Sequence, residues 1–566
     1  MKINFPIVLA SFLAISACAP QAVETVPAQA SLGGAVSAAD LRAAQAGQEI
    51  LAAGGSAADA AIAIAIALTV VEPQSSGIGG GGFLVHHDSK RGVSSYDGRE
   101  EAPAAANARW FLDATGKPLP FGEASIGGKA VGVPGNIRMF AMAHERHGKL
   151  PWARLFGPAI RLAQGGFALS PRMRTMLGGR TSASQLTPWA RATFFNPDGS
   201  PKPVGTTIRN PELGRLLEGV AARGPDWFYT GPPARSLVRI VTAARNPSTM
   251  TMGDLASYDA KERSVPCGTY RGHRVCGMGP PSSGATTVFA VLKQLERFDL
   301  ASLGPDDPRA WHLIAESMRL AYADRAAYLG DPDFVSVPLA GLMDPAYLAS
   351  RSRLIRPGQA MAAVDAGLPP GAVMRNAIMS GEVPSTSHMV AADRFGNVAS
   401  LTSTIEAAWG SGLTVDGYFL NNELTDFSFA PLATGAPAAN RVEGGKRPLS
   451  SMSPTIVYGP DGRVRIALGA AGGPTIIMQV AKTIIGVIDW KLSAGQAITL
   501  PGIFIRGNRI MVEQGTPLAA MIPALTALGH TVVAADPPFK ANAIERVGGR
   551  WVGAADSRSE GVALPE

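Results

Sequence analysis

Residues 382–406, EVPSTSHMVAADRFGNVASLTSTIE, begin a strand-like run on hydroxyl side chains: Ser385, Thr386 and Ser387, ahead of His388. A threonine or serine hydroxyl becomes a nucleophile when a base takes its proton, and acyl transfer is the chemistry such a group serves. The runs TSHMVAA and NVASLTST flank DRFGN, whose Asp, Gly and Asn mark a turn. A hairpin symmetric about Phe395 puts Thr404 across from Thr386, to within a residue or two. The two threonine hydroxyls could form a nucleophile and its partner, or be ordinary β-branched strand residues, and spacing alone favours the second.

Other candidates are weaker. GIGGGGFLVHHD holds a GxGxxG pattern at Gly77, Gly79 and Gly82. A dinucleotide site needs that pattern between a strand and a helix, whereas here it follows a helical run and leads into a strand. Its glycines are better read as permitting close backbone approach. His86 and His87 are strand neighbours and point to opposite faces. His144 and His147, in HERH, lack the i, i+4 spacing of a zinc helix. No metal and no cofactor are expected. The 51 Lys and Arg against 44 Asp and Glu leave +7 on 566 residues, without the basic runs that nucleic acid requires.

Several elements must position whatever chemistry is present. With 46% hydrophobic and 17% charged residues the chain can bury a large core. MKINFPIVLASFLAISACAP has a Lys, an apolar run of about fifteen residues and then small residues, which is a secretory signal and too short for a membrane span. Ile15 to Cys18 resembles a bacterial lipobox with Cys18 as the lipidated residue, the alternative being an ordinary cleaved signal. Residues 18–36 then look like a tether. Ala38 to Val71 is expected to be helical with a break at Gly54-Gly55, Ser56 capping a second segment apolar nearly all round. In SVPCGTYRGHRVCGMG a two-residue turn at Arg271-Gly272 sets Cys267 opposite Cys276 at a non-hydrogen-bonded site. A disulfide and two buried thiols are both open there. Pro308 to Tyr328 reads as one amphipathic helix stopped by Gly330-Asp331-Pro332, and residues 350–384 as irregular and rich in Gly, Pro, Ala and Ser, where proteolysis tends to occur.

Longer motifs carry a resemblance. TSH, GNVASLTSTIE, LNNELTDF (420–427), GGKRPLSSMSP (444–454) and GAAGGP (469–474) resemble the small subunit of gamma-glutamyltransferases. ILAAGGSAADAAIAIAIALTVVEPQSSGIGGGGFL, DGREEAP (97–103), PPSSGA and YADRAAYLGDPDF resemble the large subunit in the same order.

The resemblance implies an α/β Ntn-hydrolase, a four-layer αββα sandwich made as one chain that cuts itself before a threonine. Carried over, the cut falls between Ser385 and Thr386 and leaves a large subunit, 37–385, and a small one, 386–566, as a heterodimer. Thr386 then supplies both nucleophile and, through its freed α-amine, the base. Thr404 bonds its hydroxyl, and the amides of Gly472 and Gly473 form the oxyanion hole. Arg99, helped by Ser450 and Ser451, grips the α-carboxylate of a γ-glutamyl donor, and Glu423 and Asp426 hold its ammonium. The acyl group passes to water or to an amino acid or peptide. The expected place is the bacterial periplasm, with membrane contact only through a lipid anchor.

Two departures bear on the substrate. Glu406 stands where glutathione-cleaving members usually have Asn, a difference shared with relatives acting on poly-γ-glutamate or glutaryl-type amides. The stretch 427–446 lacks an aromatic lid Tyr. A glutaryl or cephalosporin-type acylase of the same fold is therefore the alternative. An inactive envelope scaffold has no need of so complete a site.

Overall fold

A computed structural model of the chain describes residues 1–2, 33–178, 186–373, 385–433, 436–536 and 538–566. The signal-like leader, Cys18 and the end of the segment before Ser385 lie outside the described residues, apart from Met1 and Lys2. Residues from Leu32 onward form one unit.

Two antiparallel sheets carry the architecture. The first has seven strands in the order Val562–Pro565, Ala35–Ala38, Ser387–Ala392, Val398–Thr404, Gly81–Asp88, Gly92–Gly98 and Lys261–Arg263. The second has six, in the order Arg550–Ala555, Lys540–Val547, Val464–Ala471, Thr455–Tyr458, His273–Gly277 and Cys267–Tyr270. The hidden strands explain themselves by period-two alternation. Met389 and Ala391 pack into the core of the helix Ala57–Val71, whereas Val390 and Ala392 share a core with Ile466 and Leu468 of the second sheet. Helices Gly284–Leu295 and Thr475–Ile488 cover the far side of that sheet. The layers are therefore helix, sheet, sheet, helix.

Helix Ala57–Val71 is buried along all 15 residues. Ser56 and Asp59 close its first turn as a capping box, which satisfies two main-chain donors that would otherwise be orphaned inside the protein. The first expected helix differs from the reading above. It begins at Leu41, capped by Asp40, and Ala35–Ala38 is a strand between Ser387–Ala392 and Val562–Pro565. Ala35 and Val36, assigned above to the tether, are thus part of the central sheet. Four small residues carry no periodicity of their own, and a partner more than 500 positions away decides their state. Pro308–Tyr328 is one helix, buried on most of its surface.

Both sheets draw strands from either side of the Ser385–Thr386 bond. Cutting that bond would leave two chains sharing both sheets, held by burial and by ladder hydrogen bonds. Among the described residues no helix is long and apolar enough to cross a membrane.

Candidate active site

The hairpin about Phe395 has the symmetric register, Ser387 opposite Ser403 and Ala392 opposite Val398. The Asp393 carboxylate accepts the amides of Phe395 and Asn397 and so fixes the turn. One step beyond the ladder, the Thr386 hydroxyl donates to the Thr404 hydroxyl at 3.0 Å. Both residues are buried. Thr404 Oγ1 also accepts the Glu406 amide at 2.8 Å, which aims it at Thr386 rather than along the strand.

The peptide bond before Thr386 is held on every side. The Ser385 carbonyl accepts the Gly472 amide at 3.1 Å, and the Thr386 amide donates to the Ser75 carbonyl at 3.1 Å. The Ser385 hydroxyl donates to the Gln74 carbonyl at 3.0 Å, and Lys540 Nζ donates to the Thr386 carbonyl at 3.2 Å. Thr386 has φ of +90°. That region is open to glycine and unfavourable for a β-branched residue, at about 1–3 kcal/mol of backbone strain. The strained torsion adjoins the peptide bond whose carbonyl already meets a donor.

Glycine is required at the donor's position. Gly472 has φ of +125°, and a Cβ there would lie 2.5 Å from Thr475 Oγ1 and 3.0 Å from the Pro538 carbonyl. Gly472 and Gly473 precede the buried helix Thr475–Ile488, whose amide end adds positive potential where an oxyanion would form. The glycine-rich loop serves the site too: a Cβ on Gly80 would fall 1.9 Å from the Thr404 carbonyl. These glycines let the loop lie against the strand end, and no nucleotide is needed to explain them.

A second group of residues adjoins the first through Glu406. Carboxylate oxygens of Glu406, Glu423 and Asp426 lie within 4.8 Å of one another, and all three residues are buried. Arg99, fully buried, donates to Glu423 and Asp426 and to the carbonyls of Pro448 and Leu449, both at 3.1 Å. Burial opposes its charge, but Glu423, Asp426 and Glu100 outweigh that and raise its pKa above the ordinary arginine value. Glu100, 3.6 Å from Arg99, is pushed up to about 8 by burial, against the opposing pull of that guanidinium. Arg99 and the two acids that were expected to take opposite ends of a ligand therefore bind one another.

The Ser451 hydroxyl accepts from Arg325 at 2.8 Å, and the Ser450 hydroxyl accepts the Met452 amide at 3.1 Å. Arg325, which also donates to Ser283 at 2.8 Å, was missed from the sequence although it lies within the YADRAAYLGDPDF motif. Lys540 and Glu72 were missed as well. Glu72 lies within the long motif that ends in GGGGFL, whereas Lys540, in PPFKANAIE, lies in none of the motifs. Cys267 and Cys276 face each other in the register Cys267↔Cys276 and are disulfide-bonded, with Cα atoms 4.1 Å apart. His86 stacks on His147, which bonds the Tyr96 hydroxyl at 2.6 Å, and neither histidine touches the threonines.

Two face-to-face sheets between helices, with a threonine hydroxyl heading a central strand, define the Ntn-hydrolase class. The chain belongs to the gamma-glutamyltranspeptidase family, whose family model matches residues 43–566. It is 36% identical to the glutathione hydrolase proenzyme of Bacillus subtilis (strain 168) over 551 residues, covering 94% of this chain and 91% of that protein. It is 35% identical to the acylase ACY 1 proenzyme of Pseudomonas sp. (strain SE83), covering 90% and 89%. A crystal structure of cephalosporin acylase from Bacillus halodurans superposes with a TM-score of 0.82 at 26% identity, covering 96% of this chain and 98% of that one.

Proposed function

We propose that the protein is a self-processing γ-glutamyl hydrolase and transpeptidase with Thr386 as its N-terminal nucleophile. The observation that carries this is the Ser385–Thr386 bond, with its strained φ, a hydroxyl oriented by Thr404 and a carbonyl held by the Gly472 amide. In the precursor, Thr386 Oγ1 attacks the Ser385 carbonyl, whose oxygen takes negative charge against the Gly472 amide. The C–N bond breaks, the nitrogen takes a proton, and Ser385 is left as an ester on Thr386. Water then releases the Ser385 carboxylate and leaves Thr386 with a free amine and a free hydroxyl.

Turnover repeats this chemistry on a donor. The α-amine of Thr386, anchored at the Ser75 carbonyl, takes the hydroxyl proton as Oγ1 attacks the γ-carbonyl. The oxyanion meets the amides of Gly472 and Gly473. The leaving amine takes the proton, and water or an acceptor amine then attacks the γ-glutamyl ester. No metal or cofactor enters any step.

The donor head group is read from Arg99 and its acids. A zwitterionic α-amino acid end offers a partner to both halves of the Arg99 ion pairs, its carboxylate on Arg99 and its ammonium on Glu423, Asp426 and Glu406. A glutaryl end brings its carboxylate without an ammonium, adding a negative charge to a buried group that already holds Glu406, Glu423 and Asp426 around Arg99, which is costly. The acylase reading stays open because Glu406 is where the pocket departs from the glutathione-cleaving pattern and because acylases are among the similar proteins. Steady-state rates on γ-glutamyl and glutaryl anilides, with and without a dipeptide acceptor, decide between them: faster glutaryl cleavage rejects the γ-glutamyl reading.

The leader supports export, with residues 1–17 removed, Cys18 lipidated, a short tether and a periplasmic enzyme built of the chains 37–385 and 386–566. The disulfide between Cys267 and Cys276 suits an oxidising compartment.

A further inference from the structure

One buried cation near the nucleophile has no part in the chemistry above. Lys540 begins the strand Lys540–Val547 and pairs with Ala471, the residue before Gly472. The ladder that presents the oxyanion donor therefore also delivers a lysine to the first sheet. Its side chain is fully buried, and its Nζ donates to three groups around Thr386: the Thr386 carbonyl at 3.2 Å, the Ser387 hydroxyl at 3.3 Å and the Glu72 carboxylate. Glu72 caps the end of helix Ala57–Val71 and accepts the Ser387 hydroxyl at 2.5 Å.

A buried lysine is expensive, and an apolar residue of similar length would fill the same space between the sheets. Here the ammonium is spent on the main chain of the reacting residue. Cleavage removes the covalent tether on the nitrogen side of Thr386, and with it the strained φ that the Ser385 carbonyl imposed, so the freed residue can swing away. Contacts that survive the cut must then hold it: Ser75 at the nitrogen, Thr404 at the hydroxyl and Lys540 at the carbonyl.

We infer that Lys540, backed by Glu72, is a positioning residue for the nucleophile, gripping the Thr386 carbonyl from the opposite sheet and, by its positive charge, keeping the freed α-amine neutral and able to accept a proton. The inference rests on the reading of Thr386 as an N-terminal nucleophile. Among the described residues, the charged groups that act on Lys540 are Glu72, Arg172, whose Nε is 3.6 Å from Glu72, and Asp40. On the hydroxyl side of Thr386, the Glu406 amide donates to Thr404, so Glu406 is the charged residue tied to that partner. Burial, partly countered by Glu72, pulls Lys540 down to about 8, so its charge is retained through neutral pH. A cation beside an amine disfavours the protonated amine and lowers its pKa.

The experiment is the pH profile of kcat/KM on purified, cleaved protein, using whichever of the γ-glutamyl and glutaryl anilides the wild type cleaves. Lys540→Met makes the site more negative and should move the acid limb up by about one pH unit, with kcat falling about tenfold at neutral pH and KM little changed. Lys540→Arg keeps the charge and should leave the limb in place. Glu72→Gln makes the site more positive and should move the limb the other way, which keeps the test alive if Lys540→Met does not fold. An unmoved limb in either cleaved variant reduces the pair to a structural ion pair and overturns the inference. A wild-type fragment that does not start at Thr386 overturns the nucleophile reading and this one with it, and that result is told apart because it is seen before any variant is made.

Discussion

The main-chain amide of Gly472 donates to the carbonyl oxygen of Ser385 at 3.1 Å. The donor that an oxyanion needs thus already rests on the bond before Thr386, and one amide is placed to serve both self-cleavage and turnover. A shared donor ties the two reactions together energetically.

Gly472→Ala should therefore slow both. The new Cβ would meet Thr475 Oγ1 at 2.5 Å and would have to adopt φ of +125°, so the amide moves off the carbonyl. Loss of one such donor is worth about 10²–10³ in rate. Timed electrophoresis of the precursor and anilide turnover of the cleaved fraction should fall together, and a variant slowed in only one would separate the two oxyanion sites.

The symmetric register of the strands flanking Phe395 was legible because the DRFGN turn and the alternation on either side agree on a single pairing. The facing of Cys267 and Cys276 was legible for the same reason, a turn of known geometry at Arg271-Gly272. The strand Ala35–Ala38 was not, since its state depends on partners at the far end of the chain. The contact of Lys540 with Glu72, separated by 468 positions, leaves no local trace. Nor did any local pattern show that Arg99 reaches Glu423 and Asp426. The family motifs supplied the members of the pocket, and only the structure shows them bonded to one another.

That bonding sets the expectation for the pocket. Arg99→Lys keeps a positive charge against Glu423 and Asp426 but loses the planar fork, so KM for the anilide donor should rise at least about tenfold with the fold intact. Glu406→Asn should leave γ-glutamyl cleavage intact or improved. If the wild type prefers the glutaryl anilide and Glu406→Asn reverses that order, the acylase reading replaces the one proposed.

Anchoring is a separate matter from catalysis. Cys18→Ser should move the protein from the membrane fraction to the soluble periplasm without changing turnover, because the catalytic residues lie far along the chain from Cys18. Mass spectrometry that finds an unmodified N-terminus at another residue would show the lipobox to be coincidence.

The central claim is that the Ser385–Thr386 bond is the protein's own first substrate. It is tested most directly by N-terminal sequencing of the smaller band of purified wild type beside Thr386→Ala. Wild type should yield a fragment beginning Thr386-Ser387-His388, and the variant should stay one inactive chain, since alanine has no hydroxyl to attack the Ser385 carbonyl. A wild-type fragment starting elsewhere, or the same cut persisting in Thr386→Ala, would contradict it.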